Sequence, residues 1–117
     1  MSTNVDCIFC KIVEGKIPSQ KVHETETVLV IRDIQPMSPT HYLFLPKTHY
    51  ESLVHIPPDK TAVMTDLFSE IRKVADAGGF SKEGLRTVIN TGKRGGQTVF
   101  HLHIHFLAGK AMSGEFS

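Results

Sequence analysis

Phe100-His101-Leu102-His103-Ile104-His105-Phe106 alternates apolar and imidazole side chains. Successive side chains on a β-strand point to opposite faces. The alternation therefore predicts a strand with His101, His103 and His105 on one face and Phe100, Leu102, Ile104 and Phe106 on the other. The apolar face belongs to a core and the imidazole face to a site. Neighbours on that face would stand roughly 6.5 to 7 Å apart, close enough to grip adjacent oxygens of one phosphate. A lone histidine on a strand is ordinarily a satisfied surface or core residue, which is how His23 and His55 read; three in strict alternation are different. Neutral imidazole is a competent nucleophile near neutral pH and imidazolium donates well to phosphate oxygens. The row fits phosphoryl chemistry, although its spacing alone does not select it.

Just upstream runs Asn90-Thr-Gly-Lys-Arg-Gly-Gly-Gln-Thr98. Glycines let backbone amides approach a phosphate closely, and Gln97 and Thr98 add side-chain donors. Alone, this stretch is an ordinary hairpin turn with Lys93 and Arg94 solvated; beside the histidine row it becomes a phosphate cradle. It is expected to join strands at Leu85–Asn90 and Thr98–Leu107.

Farther out, Thr27–Ile34 carries Val28, Leu29, Val30 and Ile31 and predicts a strand buried on both faces. Pro36 and Pro39 force a loop, and Tyr42–Leu45 returns antiparallel to it until Pro46. Lys21–Glu24 reads as a brief strand. Cys7–Glu14 reads as a short helix with Ile8, Ile12 and Phe9 facing inward and Gly15 stopping it. A longer helix starts near Pro58. Its apolar residues Val63, Met64, Leu67, Phe68, Ile71, Val74 and Ala75 recur at threes and fours, with Asp66, Glu70, Arg72, Lys73 and Asp76 toward water and Gly78 and Gly79 ending it. The fold class is α+β: an antiparallel sheet, one main helix and a short N-terminal helix.

With 117 residues, 40% hydrophobic and 21% charged, the chain suits one domain over 1–117. A formal charge of +1 supplies no overall field to recruit nucleic acid or an acidic membrane. The start, Met1 to Asp6, has neither the positive residues nor the apolar run of a secretory signal, and no apolar run reaches the length of a membrane span. A cytoplasmic protein is expected. Cys7 and Cys10, the two cysteines, are too few for a disulfide scaffold. Cys7-Ile-Phe-Cys10 has the gap that lets paired thiolates bind one metal ion; a redox pair or two small buried residues are the other readings.

His101-Leu-His103-Ile-His105-Phe-Leu107 resembles the signature of the histidine triad superfamily, in which three histidines alternate with apolar residues. Gly95-Gly96-Gln97-Thr98-Val99-Phe100, Asp33-Ile-Gln-Pro36 with Pro39-Thr40-His41, Leu45-Pro46-Lys47-Thr48-His49 and Val88-Ile89-Asn90-Thr91-Gly92 look like segments of its Hint-like nucleotide-binding branch, in the same order. The resemblance implies a five-stranded antiparallel sheet with two helices and a homodimer formed through the main helix and a strand. It also implies a phosphoramidase that cleaves P–N bonds at the α-phosphate of purine nucleotides, with aminoacyl adenylates in the same substrate class. His103 would attack phosphorus and form a nucleotidyl-histidine, and His105 would contact the phosphate. The His101 carbonyl would fix the His103 tautomer. Asn90, Gly96, Gln97 and Thr98 would hold the phosphate or the leaving group, Asp33 the ribose hydroxyls, and Ile34 would pack near the base. Bacterial-type members resemble this chain in pairing Cys-x-x-Cys with two histidines, which implies a structural zinc site of Cys7, Cys10, His49 and His101.

The tail from Lys110 to Ser117 lacks the tryptophan found near the end of some members. Leu107-Ala108-Gly109-Lys110 also stands where they have a Leu-Gly-Gly-Arg-like run. Two further readings compete: a dinucleoside polyphosphate hydrolase, and a nucleotide- or partner-binding module with little turnover. A metal-dependent hydrolase would use the same histidines as ligands.

Overall fold

The computed structural model describes residues 6–114. The first five residues of the polar start and the last three of the tail lie outside that range. A five-stranded antiparallel sheet forms the centre, in the order β1-β2-β3-β5-β4. Its strands are β1 (Lys21–Glu24), β2 (Val28–Arg32), β3 (Thr40–Pro46), β4 (Arg86–Val88) and β5 (Ile104–Ala108). Helix α1 (Ile8–Val13) covers one face and α2 (Ala62–Ala77) the other, followed by a short α3 (Phe80–Glu83).

β2 shows why the sheet is a sandwiched layer. Val28 and Val30 pack with Leu67, Ile71 and Ala75 of α2, while Leu29 and Ile31 pack with Phe9 and Ile12 of α1. All four β2 residues are buried, as expected of an apolar run placed between two layers. β3 divides in the same way, with Phe44 toward α2 and Leu43 and Leu45 toward α1. Its partners are β2 on one side, where Val30 faces Phe44, and β5 on the other, where Leu43 faces His105.

Several expectations need correction. β5 begins at Ile104, and the paired part of the predicted Leu85–Asn90 strand is only Arg86–Val88. The residues between turn through a 3-10 segment at Lys93–Gly95 and a non-strand stretch to His103, so the two strands do not form a tight hairpin. Alternation nevertheless persists from Leu102, because Leu102, Ile104, Phe106 and Ala108 all enter the α2-side core. Phe100, outside the paired strand, is 43% exposed instead of buried. α2 starts at Ala62 after a 3-10 turn at Pro58–Lys60. On α2, Phe68 faces outward at 50% exposure and Glu70 is buried. Glu70 is drawn inward by His23 of β1, whose Nε2 lies 2.8 Å from its Oε1. Ile8, expected to face inward, is 45% exposed, whereas Phe9 and Ile12 fill the core. Among the described residues no helix is long and apolar enough to cross a membrane.

Candidate active site

The α1 side of the sheet carries the histidine row. Between α1 and the strands lies a cavity of about 550 Å³, with Ile12, Ile31, Leu43 and Val99 on its apolar walls. Asp33, Asn90, Gly96, Thr98, His103 and His105 line it as well. A largely apolar cavity that also carries a few polar groups suits a small ligand with a flat apolar part and an anionic part. Ile34 is 93% exposed at the rim, an apolar side chain with little cover from the chain itself.

The three imidazoles do not act as one grip. His101 is fully buried and lies outside the cavity lining. Its Nε2 is 2.8 Å from the Pro46 carbonyl, which can only accept, so the ring proton sits on Nε2 and Nδ1 presents a lone pair. That lone pair points at the thiols, 3.3 Å from Cys7 Sγ and 3.5 Å from Cys10 Sγ. The His101 carbonyl lies 2.7 Å from His103 Nδ1. By the same reasoning His103 carries its proton on Nδ1, and its Nε2 keeps a free lone pair.

His105 receives the opposite tautomer, through a residue whose role sequence reasoning missed. His41 on β3 shares the α1 face with Leu43 and is buried. Its Nδ1 accepts the Met37 backbone N–H at 2.9 Å, so the neutral ring carries its proton on Nε2. Nε2 lies 2.9 Å from His105 Nδ1 and 3.3 Å from Asp33 Oδ2. With His105 Nδ1 accepting, its own proton sits on Nε2. The two cavity histidines thus differ: His103 Nε2 is a lone pair and His105 Nε2 a donor. His41 lay one residue outside the predicted strand, and the alternation with Leu43 and Leu45 was the available signal.

Burial keeps these rings neutral. It pushes His105 down to about 4, aided by the nearby His103 and His41 and opposed by Asp33. Burial lowers His103 and His41 as well, while Asp33 pulls both the other way. A neutral imidazole keeps both a lone pair and an N–H donor through mildly acid conditions.

Gly92, with φ 72°, and Gly96, with φ 87°, take left-handed conformations that shape the loop around Asn90. Gln97 was expected to face the phosphate, but its buried side chain points into the loop. Its Nε2 donates to the carbonyls of Glu51 at 2.7 Å and Val99 at 3.1 Å, and its Oε1 accepts from Gly92 N–H at 2.8 Å. Asp33 Oδ1 accepts the Gln35 N–H at 2.8 Å, which orients the carboxylate at the cavity edge. His23 and His55 lie outside the cavity lining, paired with Glu70 and Ser52 respectively.

Cys7, Cys10, His49 and His101 converge so that their ligand atoms all lie within 4.8 Å of one another. Cys10 Sγ is 3.3 Å from His49 Nδ1, and the two Nδ1 atoms are 3.2 Å apart. A tetrahedral ion about 2.0 Å from nitrogen and about 2.3 Å from sulfur requires edges of roughly 3.3 Å between nitrogens and roughly 3.5 Å between nitrogen and sulfur. The donor set fits. Burial pushes the Cys7 thiol up to about 11, the shift that a coordinated cation reverses.

The sequence matches the HIT domain family over residues 14–112. A solved histidine triad protein of Clostridium difficile superposes with a TM-score of 0.93 at 45% identity, covering 96% of this chain and 97% of that one. Protein HitA of Neisseria gonorrhoeae is 43% identical over 87% of this chain and 94% of its own length. The purine nucleoside phosphoramidase of Escherichia coli is 32% identical over 92% of this chain and 90% of its own length.

Proposed function

The chain belongs to the HIT domain family, and on that premise we propose that it is a nucleotide hydrolase that cleaves the P–N bond of purine nucleoside phosphoramidates through a nucleotidyl-histidine on His103. The observation that carries this reading is the pair of contacts that assign opposite tautomers to the two rings, the His101 carbonyl on His103 Nδ1 and His41 Nε2 on His105 Nδ1. In the first step His103 Nε2 bonds to the α-phosphorus and the P–N bond breaks, the departing amine taking its proton from the solvent while the His105 Nε2–H donates a hydrogen bond to a phosphate oxygen. In the second step water bonds to phosphorus, the His103–P bond breaks, and the water's proton leaves to the solvent. Each displacement is easier than direct attack by water, and protonation removes the amine's poor leaving character.

The other roles follow the cavity. Thr98, Asn90 and the Gly96 amide surround the phosphate, Asp33 accepts from the ribose hydroxyls, and Ile34 covers the base. Gln97 serves by clamping the loop that presents them. The name of the Escherichia coli relative, at 32% identity, supports the purine phosphoramidate class.

We assign zinc to the Cys7, Cys10, His49 and His101 cluster. With four protein ligands it ties α1 to the sheet and offers no open position for substrate. Two copies pair through β4 and α2: β4 is an outer strand of the sheet, and Phe68 on α2 offers an exposed apolar contact. The enzyme works in the cytoplasm, where such thiols stay reduced.

The test is release of AMP from an adenosine 5′-phosphoramidate bearing a fluorescent amine, by wild type and His103→Ala. Turnover lost in the variant supports the reaction and its nucleophile together. Wild type that binds AMP without turnover overturns the phosphoramidase reading in favour of a binding module.

A further inference from the structure

Cys7 and Cys10 bracket Ile8 and Phe9, and the turn sends Ile8 outward and Phe9 into the core. Phe9 stands nearly perpendicular to two imidazoles at once. Its centroid is 5.1 Å from that of His103, at 89° between planes, and 6.0 Å from that of His101, at 76°. His101, whose carbonyl meets His103 Nδ1, has its own Nδ1 beside the thiols of the same turn. The metal-binding turn therefore reaches the attacking ring by two routes, the His101 main chain and the Phe9 side chain.

We propose that Phe9 is a positioning residue for His103, and that the Cys7–Cys10 turn holds the attacking imidazole in its reactive rotamer through it. This rests on His103 being the nucleophile. The last torsion of a histidine is broad and roughly two-fold, so packing does not confine it unless something flat stands beside the ring. The hydrogen bond to the His101 carbonyl selects which nitrogen faces the cavity; the perpendicular Phe9 ring restricts the remaining swing. A misplacement of about 1 Å costs on the order of a hundredfold in rate, so modest slack matters.

The metal enters because α1 is only six residues long. Isolated helices shorter than about 12 residues are marginal, so the place of Phe9 depends on what fastens α1. The Cys7 and Cys10 thiols beside His49 and His101 are that fastening, together with packing against Leu29 and Leu45.

The test compares metal-loaded wild type, Phe9→Leu and Phe9→Tyr with wild type stripped of metal by a chelator. Four quantities are followed: bound metal, melting temperature, the ¹⁵N resonances of His103, and kcat and KM on the phosphoramidate. Phe9→Leu is expected to keep its metal and fold while kcat falls about tenfold. Its His103 resonances should broaden as the ring samples a second orientation. KM also responds, because Phe9 lines the cavity. Phe9→Tyr, which keeps a flat ring, recovers kcat and the sharp resonances. Stripping wild type broadens the same resonances, and returning the metal restores them. Unchanged His103 resonances and kcat in Phe9→Leu overturn the proposal, as do resonances indifferent to metal in a stripped chain that stays folded. If stripping unfolds the chain, the loaded Phe9→Leu comparison decides. If wild type turns over no phosphoramidate, the proposed reaction fails while the resonances still decide whether Phe9 orients His103.

Discussion

The Nε2 of His41 lies 2.9 Å from the Nδ1 of His105, across the β3–β5 pair. His41 also accepts the Met37 backbone N–H, so it is fixed as a donor toward His105 and makes the His105 Nε2 proton available to the cavity. Replacing His41 by alanine leaves His105 free to exchange tautomers. Loss of such an orienting partner typically lowers activity by about 10- to 100-fold. Steady-state kcat/KM on an adenosine phosphoramidate measures it, and His41→Gln, which keeps an N–H donor, should retain part of the rate. An alanine variant at wild-type kcat/KM would show that His105 needs no orientation.

The acid limb should reflect His105, which burial pushes down to about 4 from an ordinary 6.5. Between those values the unfolded chain holds a proton on this residue and the folded chain does not. Stability on its account therefore rises with pH through this window and is lost as pH falls from 6.5 toward 4. Catalysis follows the same sign, since the neutral ring accepts from His41. kcat/KM should hold level from about pH 8 to about pH 6 and decline only below that. A limb centred at the ordinary histidine value would count against burial as the controlling force, and a His105→Asn variant should melt with a weaker dependence on acid.

Most of the sheet and part of the site were legible from side-chain periodicity. Val28 to Ile31 announced a strand buried on both faces, and the alternation from Leu102 to Phe106 put Leu102, Ile104 and Phe106 in the core and His103 and His105 on the cavity lining. Local pattern could not say where pairing stops. His101 and His103 precede β5, and it is the long-range contacts to Pro46 and to the cysteines that turn His101 away from the cavity. Nor does helical spacing show that Glu70 is buried, because the cause is His23, an element away. His41 was singled out only within a resemblance segment, and its contact with His105 was not legible for the same reason: the partner lies 64 positions downstream. The Gln97 amide looked like a phosphate donor, but the bonds that occupy it come from Glu51, Gly92 and Val99, and composition reveals none of them.

Zinc assigned to Cys7, Cys10, His49 and His101 has a consequence for stability. Purified protein should carry about one zinc per chain, and chelation should lower the melting temperature by roughly 10 °C or more, because the ion binds only the folded arrangement. Turnover in the stripped but folded fraction should fall without vanishing, since four protein ligands leave no position for substrate. Metal analysis and calorimetry on wild type and Cys10→Ala check this. A metal-free preparation whose melting ignores both chelator and mutation would rule out the assignment.

Gln97 separates a clamp from a phosphate ligand. As a clamp, its amide satisfies the Glu51 and Val99 carbonyls and the Gly92 N–H from a buried position. Gln97→Ala should therefore destabilise the chain by about 3 kcal/mol, the cost of leaving such groups without partners. Gln97→Glu should be at least as damaging, because it keeps the acceptor for Gly92 but turns a carboxylate oxygen toward two carbonyls. Both variants should also raise KM, since the loop that the clamp holds presents Gly96 and Thr98 to the cavity. A residue that instead bound phosphate directly would lose rate at undiminished stability. Urea unfolding measured beside the kinetics distinguishes them, and a slow Gln97→Ala variant with wild-type unfolding would return this side chain to the substrate.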